Sequence, residues 1–196
     1  MAARRRPFRQ TLTAIRALLI LTVLLGCGYP AVVLGIGQLA LPAQANGSLV
    51  SVDGEVVGSS LIGQTFDGDD WFQSRPSAAG DGYDGGASSG SNYGPENADL
   101  ITAIEQRQAA IAEADHVDVG DIPADAVTTS GSGLDPHISP EYALLQVGRV
   151  AAARGLDEAD VRDLVEQHIQ GRDLGYLGEP TVNVLELNIA LAGLGD

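Results

Sequence analysis

The chain has 196 residues, with 11 basic against 26 acidic side chains, a formal net charge of −15 and a pI near 4.3. That length suits one domain with an appendage, and the acidity argues against nucleic acid, since nothing would neutralise phosphates. One cysteine, Cys27, precludes an internal disulfide, and the absence of Lys precludes a Walker A loop, the protein-kinase strand Lys, a Ser-x-x-Lys acyl-transfer site and Schiff-base chemistry.

Charge is segregated along the chain. Residues 1–52 hold no acid and five Arg: Arg4, Arg5, Arg6, Arg9 and Arg16. Residues 53–196 hold all 26 acids and six Arg, a net of −20. Between Ala17 and Val52 no residue is charged. The apolar run 11–41 exceeds the ~20 residues a helix needs to cross ~30 Å of hydrocarbon. Pro30 and the glycines at 26, 28, 35 and 37 are where it would kink or end. Basic flanks stay inside, so residues 1–10 are expected in the cytoplasm, 11–41 in the membrane, 42–47 as a linker and 48–196 outside. The competing reading is a cleaved leader. Leu24-Leu25-Gly26-Cys27 resembles a lipoprotein box, and Arg5-Arg6-Pro7-Phe8 resembles a twin-arginine signal. The apolar run continues well past Cys27, through Ala31 to Ile36, which favours a retained span.

The outer part reads as a small α+β domain. Leu49-Val50, Val56-Val57 and Leu61-Ile62 suggest short strands separated by turns. Asp67–Pro95 is a long loop rich in Gly, Asp and Ser, of the kind that is functional or mobile. Asn97 caps a predicted helix to about Ala114, with Leu100, Ile101, Ile104 and Ile111 on one side. Ile122–Thr129 reads as a strand. Ser139-Pro140 begins a helix through Leu144, Val147, Val150 and Ala151, closed by Gly155. Asp157 begins another, through Val161, Leu164, Val165 and Ile169 to Gly171. Asn183 and Glu186 have capping-box spacing before a last helix to Leu191.

The densest polar string is Ser130-Gly131-Ser132-Gly133-Leu134-Asp135-Pro136-His137-Ile138-Ser139-Pro140. It contains the residue types of a nucleophile triad, but they lie close in sequence and no G-x-S-x-G elbow is present. A glycine-rich turn leading to a capped helix, or a loop that docks a partner or ligand, accounts for it better. Catalysis by Ser132 and His137, as in a secreted or lipid-anchored hydrolase, stays as an alternative. His116, His137 and His168 have no zinc spacing, and His168 reads as a helix-face residue. The loop Gly80–Gly86 faintly resembles calcium-binding Gly/Asp repeats, which leaves a calcium-stabilised binding module as a further alternative.

Six strings in order resemble one family: residues 58–64, Phe72–Ala78, Ser89–Pro95, 130–140, Gln146 with Arg149–Ala151, and Leu177–Asn188. With Tyr29-Pro30 in the span, they resemble the C subunits (KdpC) of Kdp potassium-transporting ATPases, over nearly the whole chain. This chain departs from the family pattern at Trp71-Phe72-Gln73-Ser74, where Phe-His is usual before Arg-Pro-Ser-Ala, and at Tyr93. The resemblance implies a non-catalytic accessory subunit of a high-affinity potassium pump. It implies as partners a potassium-channel-like subunit, a P-type ATPase subunit that binds ATP and Mg, and a small membrane subunit. It implies assembly and a catalytic-chaperone role that raises the ATPase subunit's affinity for ATP. The positions it marks are Ser130, Gly131, Ser132, Gly133, Leu134, Asp135, Pro136, His137 and Gln146 as a docking or nucleotide-linked loop. It also marks Gln64, Arg75, Pro76, Asn92, Glu179 and Asn183. ATP is cytoplasmic, whereas the charge asymmetry puts this domain outside. The 130–140 string is therefore read as a docking loop for the channel-like subunit, acting on ATP use only through coupled conformations.

Overall fold

The computed structural model describes residues 7–194. Arg4, Arg5 and Arg6, the main basis for orientation, lie outside the described residues. The chain forms two compact units, 1–48 and 49–196.

The first unit is helical. Helix α1 (Pro7–Val23) passes into a π-helical turn at Leu24–Gly28, then α2 (Tyr29–Ala40) and a short α3 (Pro42–Ala45). The helix does not end at Pro30. Phe8–Ala40 is one candidate span of 33 residues with mean hydropathy 2.3 and no buried residue. The expected linker is partly ordered. Asn46 donates to the Pro42 carbonyl (2.7 Å) and exchanges amide hydrogen bonds with Gln38 (3.1 and 3.3 Å).

The second unit opens with a hairpin, β1 (Leu49–Val52) and β2 (Glu55–Ser59), paired Leu49↔Ser59 through Val52↔Glu55. Asp53 and Gly54 both have positive φ (51° and 84°), the conformation of a tight two-residue hairpin turn. Leu61-Ile62 is not a strand; Ile62 makes one isolated bridge to Ser59. Helix α4 (Ala98–Asp115) starts at Asn97, whose side chain accepts from the Asp99 and Leu100 N–H groups.

Where a strand was expected at 122–129, the chain forms a 3₁₀ turn (Val119–Asp121) and a short helix, α5 (Ala124–Val127). Pro123 fixes φ at −70°, and the following N–H groups bond locally, Ala126 to Pro123 and Thr128 to Ala124. Of this segment, Ile122, Ala126 and Val127 are buried in the core. The sheet forms elsewhere, from β3 (His137–Ile138), β4 (Ile169–Gln170) and β5 (Thr181–Asn183) in the order β3-β5-β4, both pairs antiparallel.

The helix expected from 140 to 155 is two helices, α6 (Pro140–Leu145) and α7 (Val147–Arg154), broken at Gln146. Ser139 caps α6 through the Tyr142 N–H, and Gly155 closes α7 at φ 67°. Helix α8 (Glu158–Gln167) stops at His168, short of the expected Gly171, because Ile169 and Gln170 pair with β5. Helix α9 (Val184–Leu194) leaves β5 directly, with the Asn183 side chain accepting from the Glu186 N–H (3.2 Å).

The core gathers Ile138, Val147, Val150, Val161, Val165, Val182, Leu187 and Leu191 around the sheet. Phe72 joins it from the long loop and is completely buried. Burying one such ring contributes about 2–3 kcal/mol, enough to anchor a loop that has no helix or strand of its own.

Candidate functional site

The family-like strings converge on one layer of loops stitched across the 130–140 segment. Arg75 is its central cation. Its Nη1 meets Asp135 Oδ2 at 2.9 Å, while Nε and Nη2 donate to the Thr128 carbonyl. Asp135 also accepts, at Oδ1, the His137 backbone N–H (3.0 Å), and His137 Nδ1 lies 3.3 Å from the same oxygen. Burial would raise the Asp135 carboxyl, but His137's two hydrogen bonds and the Arg75 guanidinium outweigh it and hold the group below its ordinary value.

Ser77 forms a second node. Its hydroxyl donates to the Gly133 carbonyl (2.6 Å) and accepts from the Ala79 and Tyr83 N–H groups. Tyr83 O–H closes the ring on the Arg75 carbonyl (2.7 Å), and burial pushes that phenol up. Gly133 has φ 68°, and a Cβ there would lie 2.5 Å from the Ser89 carbonyl and 2.7 Å from the Ala79 nitrogen. Only glycine satisfies both the left-handed backbone and this contact. Gly63 donates to the Leu134 carbonyl (2.9 Å), Ser89 to the Ser132 carbonyl (2.9 Å), and Val184 to the Pro136 carbonyl (3.0 Å).

Ser130 and Ser132 are spent inside their own turn. Ser130 Oγ accepts from the Gly133 N–H and Ser132 Oγ from the Leu134 N–H; the two hydroxyls are 3.3 Å apart. No hydrogen bond joins Ser132 to His137 among the described residues, because His137 begins β3 and bonds to Asp135. The hydrolase alternative finds no support. Nor does the calcium alternative: Asp84 caps its own turn at the Gly86 N–H (2.8 Å). Among the described residues no group of three His, Cys, Asp or Glu side chains could hold a metal.

The remaining marked positions divide. Gln64 donates to the Val57 carbonyl (3.0 Å) and its own carbonyl accepts from Ser74 Oγ (2.7 Å). Pro76 lines a 170 Å³ cleft beside Arg75 and Tyr83. Asn183 is buried and donates to the Ser60 carbonyl (2.9 Å). Asn92 (φ 54°) only bonds within its loop, to the Gly90 carbonyl. Glu179 is exposed and paired with Arg172.

Gln146 is wholly buried and belongs to the core side of the layer. Its Oε1 accepts from the Gln73 N–H (2.6 Å) and Arg149 Nη2 (2.7 Å); its Nε2 donates to the Gln73 and Tyr142 carbonyls. Arg149 then pairs with Asp115 (2.7 Å) and donates to the Asp69 and Trp71 carbonyls. Burial pushes the Asp115 carboxyl up, and Arg149 offsets only part of that. Asn188 holds both the N–H and the C=O of Phe72 (2.9 and 3.0 Å). Asp115 lies outside every string marked in the sequence, and Asn188 closes the Leu177–Asn188 string without being singled out as a site residue. A polar Asn inside the apolar run Leu185–Leu191 is the signal that marks the second.

The layer is thus a hydrogen-bonded platform whose polar groups largely satisfy one another. Beside it, Val52, Val57, Phe66, Trp71, Leu185 and Ile189 line an open apolar groove of about 210 Å³.

The family model described as "KdpC: K+-transporting ATPase, c chain" matches residues 11–193. The potassium-transporting ATPase KdpC subunit of Kineococcus radiotolerans is 60% identical over 183 residues, 93% of each chain. That of Methylococcus capsulatus is 52% identical, over 92% of this chain and 96% of its own. That of Mycobacterium bovis is 50% identical, over 93% and 97%.

Proposed function

Since the chain belongs to the KdpC family of K+-transporting ATPase c chains, we propose that it is the accessory subunit of such a pump, holding the complex together from a membrane tether. The observation that carries this is that the match runs through both the apolar helix and the folded unit, residues 11–193. What the match covers is the apolar helix together with the folded unit, not the folded unit alone.

The subunit carries out no chemistry of its own. The cross-linked loop layer around Arg75, Asp135 and Ser77 supports a docking role, because a surface held by its own hydrogen bonds loses little freedom on binding. The docked partner is the channel-like subunit, with the ATP-hydrolysing and small membrane subunits completing the complex. ATP and Mg are held by the ATP-hydrolysing subunit, and this chain raises its ATP affinity through coupled conformations. Five Arg and no acid in residues 1–52 support an N-terminus inside and a domain outside.

The test is a pump reconstituted with the chain cut after residue 42. Loss of copurification, of growth on limiting potassium and of high-affinity ATP use is expected. Full retention of all three would refute the proposal. Labelling of the domain by reagents confined to the cytoplasm would refute the orientation.

A further inference from the structure

A cleft of about 270 Å³ opens between the last turn of α4, Tyr142 on α6, Arg149 on α7 and the loop at Gly68-Asp69. Tyr142 is only 4% exposed, and its hydrogen bonds are all made by its main chain. Its hydroxyl has no partner among the described residues. The Asp115 side chain is also 4% exposed; Oδ1 takes the Arg149 Nε–H, and Oδ2 has no partner among the described residues. No fully buried side-chain oxygen or nitrogen of the described residues lacks a partner, so both of these oxygens reach open space. The cleft is the space that the two side chains share. Two oxygens deep in a cleft and unbonded by the fold are groups that a ligand can take.

Asp69 adds a third acceptor. Its main-chain carbonyl is used by Arg149, whereas its carboxylate makes no hydrogen bond among the described residues and acts on Asp115 through space. Arg149 offers little in return. Nε, both hydrogens of Nη1 and one of Nη2 are directed at Asp115, Asp69, Trp71 and Gln146, which leaves one N–H. Free acceptors therefore outnumber free donors, and two ionised carboxylates against one guanidinium leave a net charge of −1. Burial holds the Asp115 carboxyl above its ordinary value even with Arg149 in place, so further positive charge there is favourable. Ile111 and Ala114 supply an apolar wall.

We infer that this cleft receives the ammonium group of a lysine side chain from another subunit, with Tyr142 Oη, Asp115 Oδ2 and the Asp69 carboxylate as its three acceptors. A lysine ammonium carries three N–H donors and no acceptor, and its methylene stem packs on an apolar wall. Calcium or magnesium takes about six or more oxygens and gains nothing from that wall. The five donors of an arginine exceed the acceptors on offer. The volume lies below the roughly 300–1,000 Å³ of clefts that enclose whole small molecules, and suits one side chain. This chain contains no Lys, so neither it nor a second copy supplies the group. A second cleft of about 550 Å³ shares Asp69, Asp115 and Arg149 and leaves room for the chain that bears the lysine. That the donor is another subunit rests on the proposed function; the preference of the cleft for an alkylammonium does not.

The experiment begins with the ¹⁵N-labelled full chain in micelles, titrated with n-butylammonium chloride. Saturable shifts are expected at the Gly68, Asp69 and Asp115 amides. Potassium chloride, tetramethylammonium chloride and n-butylguanidinium chloride at the same ionic strength should bind about tenfold more weakly or not at all. Tyr142→Phe keeps the ring and removes no bond of the fold; it should weaken butylammonium binding about tenfold, the loss of one hydrogen bond to a charged group. Asp69→Asn, at an exposed carboxylate, should weaken it about threefold. No saturable shift, equal binding of any of the three control cations, or native affinity in Tyr142→Phe would overturn the inference. If Tyr142→Phe does not fold, Asp69→Asn decides. The source is read in the complex purified from membranes, where a zero-length carbodiimide cross-link should join Asp69 to a lysine of another subunit. Butylammonium binding by the isolated chain with no such link in the complex would overturn the lysine assignment and mark a free amine. Cutting the chain after residue 42 tests the proposed function separately, because the titration needs no partner.

Discussion

Replacing Gln146 by Ala is expected to lower stability, not to remove a ligand contact. The side chain is wholly buried and makes four hydrogen bonds, two of them to the main chain of Gln73. Truncation leaves the Gln73 N–H, in a half-buried residue, without its acceptor, which costs about 1–3 kcal/mol. Arg149 keeps Asp115 and the Asp69 and Trp71 carbonyls, so its loss is smaller, about 1 kcal/mol. The vacated volume adds about 1 kcal/mol. The total is about 3–5 kcal/mol, or about 8–15 °C in melting temperature for a domain of this size. The assay is thermal unfolding of the full chain followed by near-ultraviolet circular dichroism. Gln73→Ala is the control, because Gln73 bonds to Gln146 through its main chain and its own side chain reaches only the Gly68 carbonyl. A drop under about 3 °C for Gln146→Ala, or equal drops for both variants, would refute the reasoning.

Gly133→Ala should cost about 2–4 kcal/mol from its left-handed backbone and the Ser89 and Ala79 contacts, whereas Gly131→Ala, with open space around it, should stay within about 1 kcal/mol in the same melts. Arg149→Ala should cost about 3–5 kcal/mol by leaving Asp115 buried and unpaired, and Asp115→Asn in the same chain should recover part of it, which denaturant unfolding would show as non-additivity. Asp135 has a folded pKa below its unfolded value, so it contributes stability above about pH 4 that is lost as pH falls towards the folded value. Melting temperatures of the wild type and Asp135→Asn from pH 6 to 3 should therefore converge as the pH drops; a constant gap would contradict the assignment.

Local chemistry was legible in the sequence wherever the signal is local. The caps at Asn97, Ser139 and Asp157 and the closing Gly155 act within a few residues, so reading them needs no tertiary information. The uncharged run and the segregation of acids set out a helix long enough to span a membrane and an acidic domain after it. The six strings identified the family.

What distant residues decide was not legible. Ile122–Thr129 has strand-like composition, yet Pro123 carries no N–H and the N–H groups after it bond locally, which makes α5. The sheet assembles from three pieces of two or three residues, far apart in the chain, which carry no periodicity of their own. Ile169 reads as the end of a helical stripe until pairing with Val182 claims it. Gln146 is marked with the docking or nucleotide-linked loop, but it sits between α6 and α7 and is buried, where it gives the Gln73 main chain, 73 positions earlier, a donor and an acceptor. Caps and hydropathy are properties of neighbours in sequence; hydrogen-bond demand in a dry core is a property of neighbours in space, and only folding brings those together.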